Sequence, residues 1–257
     1  MNILKFKKIG KDKYKVYLDN NTNINLYEDV IINNNLLISK CIPENMLENI
    51  IKENAKYDLY FSAVNYISIK MRSKSEMINY LSKKCDDEKE VNNVIDRLIK
   101  NGLINDFNYS KAYVNDQMLL STSGPNKIKQ GLIKSGIDNE IVEEVISEID
   151  DILVREKLSN LIEKQIRIKK SGTGSSKMLK IKLLNYFNNL GYDKMMILSE
   201  LDNYNIKSDI TKLKKEYDKL IMKYQKKYSG NDLNLFVRNK LYQKGYSIEE
   251  INKIKED

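Results

Sequence analysis

The sequence predicts a mainly α-helical protein, with tandem three-helix repeats in an elongated array and a small β-unit at its N-terminus. Three observations point there. A helix, glycine turn, helix pattern returns at a nearly constant interval; 31% of the 257 residues are charged and two are proline; and two-residue apolar alternation is confined to the first 35 positions. Charge-rich, proline-poor chains favour helices with solvated faces. In an array, each unit needs only its neighbours to bury its apolar side.

The repeat is clearest between 101 and 149. Ile128, Leu132 and Ile133 share a helical face, Pro125 suits the first helical turn, Gly136 follows the last periodic residue, and Asp138 stands where an N-cap belongs. With the turn residue as origin, the same register occurs at Cys85, Gly136, Gly191 and Gly245, spaced 51, 55 and 54 residues apart. A period near fifty signals an array. Eight residues before each turn stand Met77, Ile128, Leu183 and Val237; four before it, Leu81, Leu132, Phe187 and Leu241. Two after it come Asp87, Asp138, Asp193 and Ser247, all N-cap types, and six after it Val91, Val142, Ile197 and Ile251.

In chain order, residues 1–42 form the β-rich unit. Ile3, Leu4 and Phe6, then Val16 and Leu18, then Ile24 and Leu26 suggest two or three short antiparallel strands, with turn chemistry at 20–23 and a short helix at 27–33. Residues 43–105 hold a linking helix over 43–54, with Pro43 near its first position, and the first repeat. That repeat opens with a helix at 57–71, and Ser73 with Glu76 makes a capping box for its second helix. Repeat two covers 106–150, repeat three 151–205 and repeat four 206–257. The turn residue Cys85 and the distant Cys41 fit free thiols, and the place of Cys85 at the turn argues for a structural role.

Composition excludes several chemistries. With no histidine, the chain has no Ser–His or Cys–His pair and no histidine-containing zinc site. No metal, cofactor or catalytic group is expected, and no apolar run approaches the length of a membrane span, so a cytoplasmic protein with no membrane partner is expected. The string Gly172 to Lys177 looks superficially like a phosphate loop, but a helix precedes it and Ser176 stands where the second glycine belongs. An inter-helix linker is the expectation.

The formal net charge of +8 is uneven: residues 1–150 carry net −1 and residues 151–257 net +9. Basic residues recur on the helix before each turn: Lys83 and Lys84; Lys127, Lys129 and Lys134; Lys177, Lys180 and Lys182; Arg238, Lys240 and Lys244, with Lys169 and Lys170 adding to the third repeat. A recurring cationic helix suits a long anionic partner, while any single lysine is equally well a solvated surface residue. Tyr109, Tyr113, Tyr186, Tyr192, Tyr242 and Tyr246 could stack on bases, but their places near turns and on apolar faces favour packing.

Three strings carry a family resemblance: Arg72, Ser73 and Glu76; Gly102 to Asp106; and Gly124, Pro125, Ile128, Leu132, Lys134 and Gly136. Across 57–150 the chain resembles the RecX family of recombination regulators, and more loosely beyond. The resemblance implies a non-enzymatic, monomeric modulator that lies in the groove of the RecA–single-stranded DNA filament and inhibits its growth, ATP hydrolysis and strand exchange. Single-stranded DNA, and double-stranded DNA secondarily, join RecA as implied partners, with Arg72, Lys127, Lys129 and Lys134 among the matched contacts. Two departures stand out. Residues 119–122 lack the arginines that relatives place before Gly-Pro, and Gly131 interrupts a helix at a cost of about 1 kcal/mol against alanine. Binding is therefore expected to shift toward repeats three and four. The rivals are a stand-alone DNA-binding architectural protein and an adaptor scaffold, the latter needing no basic ladder.

Overall fold

The computed structural model describes residues 1–169 and 174–256 and, of 169, 255 and 256, the backbone alone. Two compact units divide it: Met1–Tyr109 with Ser135–Ile137, and Ser110–Lys134 with Asp138–Asp257.

In the first unit, β1 (Ile3–Lys8), β2 (Lys13–Leu18) and β3 (Asn23–Tyr27) form an antiparallel sheet in the order β1-β2-β3. Alternation sends Ile3, Val16, Leu18 and Leu26 inward. Asn21 takes φ 61° in the β2–β3 turn, where the Asn20 carboxamide oxygen accepts the Thr22 N–H at 3.1 Å. Two short helices follow, α1 (Glu28–Asn33), as expected, and α2 (Leu36–Ser39), which the pattern did not announce.

The next two expected helices are one. α3 (Glu44–Ile69) runs unbroken for 26 residues, with Pro43 as its N-cap rather than its first helical residue. Ala55 and Lys56, good helix formers, carry the chain through the expected gap. Asn54, which breaks the apolar stripe there, is 8% exposed and bridges helix to sheet. Its Oδ1 accepts the Tyr27 N–H at 2.9 Å, and its Nδ2 donates to the Asn25 carbonyl at 3.1 Å. An asparagine in the core is thus satisfied by backbone groups that would otherwise be stranded.

α4 (Lys74–Leu81) begins with the foreseen capping box, Ser73 accepting from Glu76 N–H and the Glu76 carboxylate accepting from Ser73 N–H. α5 (Glu88–Lys100), capped by Asp87, closes this three-helix set over Leu59, Ala63, Met77, Leu81, Val91, Ile95 and Leu98.

The remaining helices are α6 (Asp106–Leu120), α7 (Pro125–Lys134), α8 (Asn139–Ser147), α9 (Asp151–Lys169), α10 (Ser176–Asn189), α11 (Lys194–Asp202), α12 (Ile210–Tyr224), α13 (Gly230–Gln243) and α14 (Ile248–Glu256). The repeat register is physical. All twelve apolar register residues, from Met77 to Ile251, are at most 3% exposed. Asp87, Asp138 and Asp193 each accept a backbone N–H as N-caps. At Ser247 the hydroxyl accepts from Glu250 N–H and the Glu250 carboxylate from Ser247 N–H, a second capping box.

One joint recurs. In the first unit, Ser73 Oγ, at the start of α4, donates to the Ser135 carbonyl at 2.6 Å, and a Cβ on Gly136 would stand 2.4 Å from Ser75. In the second unit, the Gly124 N–H before α7 donates to the Leu190 carbonyl at 2.7 Å and the Asn126 N–H to the Gly191 carbonyl at 3.0 Å. Ser175 Oγ before α10 donates to the Gly245 carbonyl at 2.6 Å. In each case the N-terminus of a middle helix sits on a glycine turn. Gly136, Gly191 and Gly245 have φ of 73°, 87° and 91°, so glycine is required both for the left-handed backbone and for the approach. Cys85, in the same register, is not among the residues with positive φ.

Candidate nucleic-acid interface

The expected basic residues occupy three different settings. Arg72 and Lys84 belong to a stack. The Arg72 guanidinium carbon lies 3.9 Å from the Tyr66 ring centroid, Tyr66 and Tyr80 are parallel within 3° at 4.0 Å, and Lys84 Nζ lies 5.0 Å from the Tyr80 centroid. Two rings are thereby held between two cations, an arrangement worth about 0.5–2 kcal/mol per cation. The Arg72 Nε is buried without a hydrogen-bond partner among the described residues. Arg72 therefore packs as well as presenting charge. Lys83, the sequence neighbour of Lys84, is exposed.

A second group is paired. Lys129 is bound to Glu143 and Lys244 to Glu216, while Lys180 Nζ is 2.9 Å from Asp202. These are surface pairs, worth about 0–1 kcal/mol each, and a phosphate can displace them. The expected ladder is thus partly neutralised within its own helical sets. Glu216 is held below the usual carboxylate range, first by its hydrogen bond from Lys244.

The third group is uncommitted. Lys127, Lys134, Lys177 and Lys182 are exposed, and Arg238 and Lys240 are half-buried. Lys177 Nζ lies 5.8 Å from the exposed Tyr242 ring, and Lys240 Nζ 5.6 Å from Phe236. Lys170 and the Lys169 side chain lie outside the described residues, as do Gly172 and Thr173 of the loop-like string. Ser175 in that string is the N-cap of α10, accepting from Met178 N–H at 3.3 Å.

The tyrosines mostly pack. Tyr192 and Tyr246, which follow turn glycines, are 1% and 4% exposed, and Tyr109 reaches Ser135 Oγ at 3.3 Å. Burial pushes the Tyr192 hydroxyl up to about 12, and that hydroxyl has no hydrogen-bond partner among the described residues. Of the six, Tyr242 is the exposed one.

Among the described residues no acid–thiol cluster of metal-binding size exists, and no helix is long and apolar enough to cross a membrane. Cys41 and Cys85 are both free. Leu119 and Leu120, where arginines are missing, are 81% and 84% exposed, so the end of α6 presents apolar surface.

Sequence reasoning missed a polar cleft of about 480 Å³ where α7 meets the α10–α11 turn. Its walls include Lys127 and Lys129 together with the amides Asn126, Gln130, Asn188 and Asn189. The available signal was the i,i+4 spacing of Asn126 and Gln130, combined with an Asn-Asn pair just before a turn glycine.

Comparison with known proteins fits this geometry. Residues 60–98 match the model of the first three-helix domain of RecX, and residues 105–146 match that of the second. The regulatory protein RecX of Streptococcus agalactiae serotype Ia is 31% identical over 255 residues, covering 96% of this chain and 97% of the relative. The chain belongs to the RecX family. RecX of Streptococcus uberis is 30% identical over 260 residues, covering 98% of each chain, and RecX of Oceanobacillus iheyensis is 26% identical over 254. A crystal structure of regulatory protein RecX matches with TM-score 0.65 at 21% identity, over 78% of this chain and 98% of that one. RecX from Lactobacillus salivarius matches with TM-score 0.54 at 30% identity, over 58% and 95%. RecX proteins of this length are named as regulators, and the chain shares that regulatory class along nearly its whole length. The resemblance read from Arg72, Gly102 and Gly124 onward is the family the comparisons find.

Proposed function

We propose that this RecX-family chain regulates the RecA recombinase by binding the filament that RecA forms on single-stranded DNA, limiting filament growth, ATP hydrolysis and strand exchange. The observation that carries the reading is the nearly full-length match to proteins named regulatory protein RecX. Charge supports it. The excess of +9 lies in residues 151–257, where, among the described residues, Lys177, Lys182, Arg238 and Lys240 are free of ion pairs such as those that occupy Lys180 and Lys244.

In this reading the chain acts as a cytoplasmic monomer without catalysis, cofactor or membrane. Several weak contacts along a polymer add through multivalency. Lys83, Lys84, Lys134, Lys169 and Lys170 serve as additional phosphate or acidic-surface contacts. Recombinase ATPase on single-stranded DNA, with and without the chain, is the test. Turnover should fall as the chain is added in proportion to recombinase; unchanged turnover at equimolar chain overturns the reading. Capture by bare DNA as strong as by the filament would instead favour an architectural DNA-binding protein, and its affinity would fall steeply with salt.

A further inference from the structure

The cleft between α7 and the α10–α11 turn differs chemically from the rest of the basic surface. Four carboxamides, Asn126, Gln130, Asn188 and Asn189, face it together with Lys127 and Lys129. No carboxylate lines it. All four are exposed and none of the four side-chain amides has a hydrogen-bond partner among the described residues, so their donors and acceptors are open to a ligand. Ile133, 46% exposed, adds an apolar wall.

Amides offer a donor and an acceptor side by side, the pattern that pairs with the edge of a nucleobase, while lysines satisfy phosphates without reading sequence. A volume of about 480 Å³ falls within the range of small-ligand sites. The floor is also fixed: the Gly124 and Asn126 N–H groups are bonded to the turn, and the Gly191 Cα lies so close that a Cβ would meet Lys127 N at 2.3 Å. A cleft set by backbone joints holds its shape before any ligand arrives.

We propose that this cleft binds single-stranded nucleic acid by its base edges, with Asn126, Gln130, Asn188 and Asn189 pairing to an unstacked base and Lys127 and Lys129 holding the adjoining phosphates. The proposal deepens the filament reading by giving the DNA component a base-contacting site, but it stands on the cleft alone. Lys129 exchanges Glu143 for the incoming phosphate. The base lies against Ile133.

The experiment measures binding of the full chain to a fluorescent single-stranded oligodeoxynucleotide and to an abasic deoxyribose-phosphate strand of equal length, over a salt series. The native chain should prefer the base-bearing strand by about tenfold, the discrimination of one good bidentate pair. Gln130→Ala, Asn188→Ala and Asn189→Ala combined should abolish that preference and leave the salt slope unchanged. Lys127→Gln should do the reverse, lowering the slope by about 0.7 and keeping the preference. The proposal is overturned if the native chain binds neither strand, binds both equally, or keeps its preference in the triple variant. Recombinase ATPase measured in parallel separates the two readings, since an inert chain in that assay with an intact base preference refutes the filament role alone.

Discussion

The hydroxyl of Tyr113 on α6 lies over the Cα of Gly131 on α7, where an added Cβ would stand 2.2 Å from the oxygen and 2.9 Å from the ring carbon bearing it. By sequence, Gly131 is a weak point that alanine would improve by about 1 kcal/mol. The structure offsets that gain, because an added Cβ would have to push the Tyr113 hydroxyl end aside. Gly131→Ala should therefore leave stability within about 1 kcal/mol of the native chain, short of the full helical gain. Urea unfolding checks this, and in a Tyr113→Leu background the same substitution should give that gain in full, the signature of direct coupling.

Gly191 should be far less tolerant. It combines φ 87° with the backbone nitrogen of Lys127 at 2.3 Å from where a Cβ would be. Gly191→Ala is expected to cost about 3 kcal/mol or more, through strain and loss of the joint. Cys85→Gly, at the register-equivalent turn without left-handed backbone, should cost less, about 1–2 kcal/mol, from the entropy of an added glycine and the lost packing of Cys85 on the α3–α5 core. Thermal melts of the two variants side by side decide whether the joint explains the difference.

Alkaline stability should be governed in part by Tyr192. Burial raises its pKa to about 12, above the usual value near 10, so the folded state disfavours the phenolate. The contribution is complete below pH about 10 and is lost as pH rises from there through about 12. Tyr192→Phe should flatten that loss and, by removing a buried unsatisfied hydroxyl, add about 1 kcal/mol near neutral pH. Far-UV circular dichroism against pH, with phenolate absorbance followed in parallel, tests both.

Reversing Lys177, Lys182, Arg238 and Lys240 to glutamate should abolish ATPase inhibition without changing the helical signal. Each lost single-strand phosphate contact lowers the salt slope by about 0.7. Lys180→Glu is a poorer probe, since it would place two acids together at Asp202. Wild-type inhibition by the fourfold variant would place the interface elsewhere.

Much of this architecture was visible in the residues. The apolar register at Met77, Ile128, Leu183 and Val237 and the caps at Asp87, Asp138 and Asp193 are local, and local patterns survive folding. The continuity of α3 was hidden because Asn54 looks like a breaker until β3 is there to receive its amide. The cleft amides were hidden for the same reason. Asn126 and Asn188 lie 62 positions apart and meet only through the turn at Gly191. Lys129 and Lys180 could be counted as positive charge, but not as charge already answered by Glu143 and Asp202.

The joints also give the chain a direction of growth. Each glycine turn receives the middle helix of the repeat before it, so a unit added after α14 would bring its own socket, and the N-terminus of α13 is the end that socket would receive. A unit added ahead of α3 would have to set its middle helix on the turn at Cys85, where a side chain stands in place of glycine and the backbone is not left-handed. Lengthening is therefore easier at the carboxyl side, because the first turn lacks the glycine on which the other joints depend.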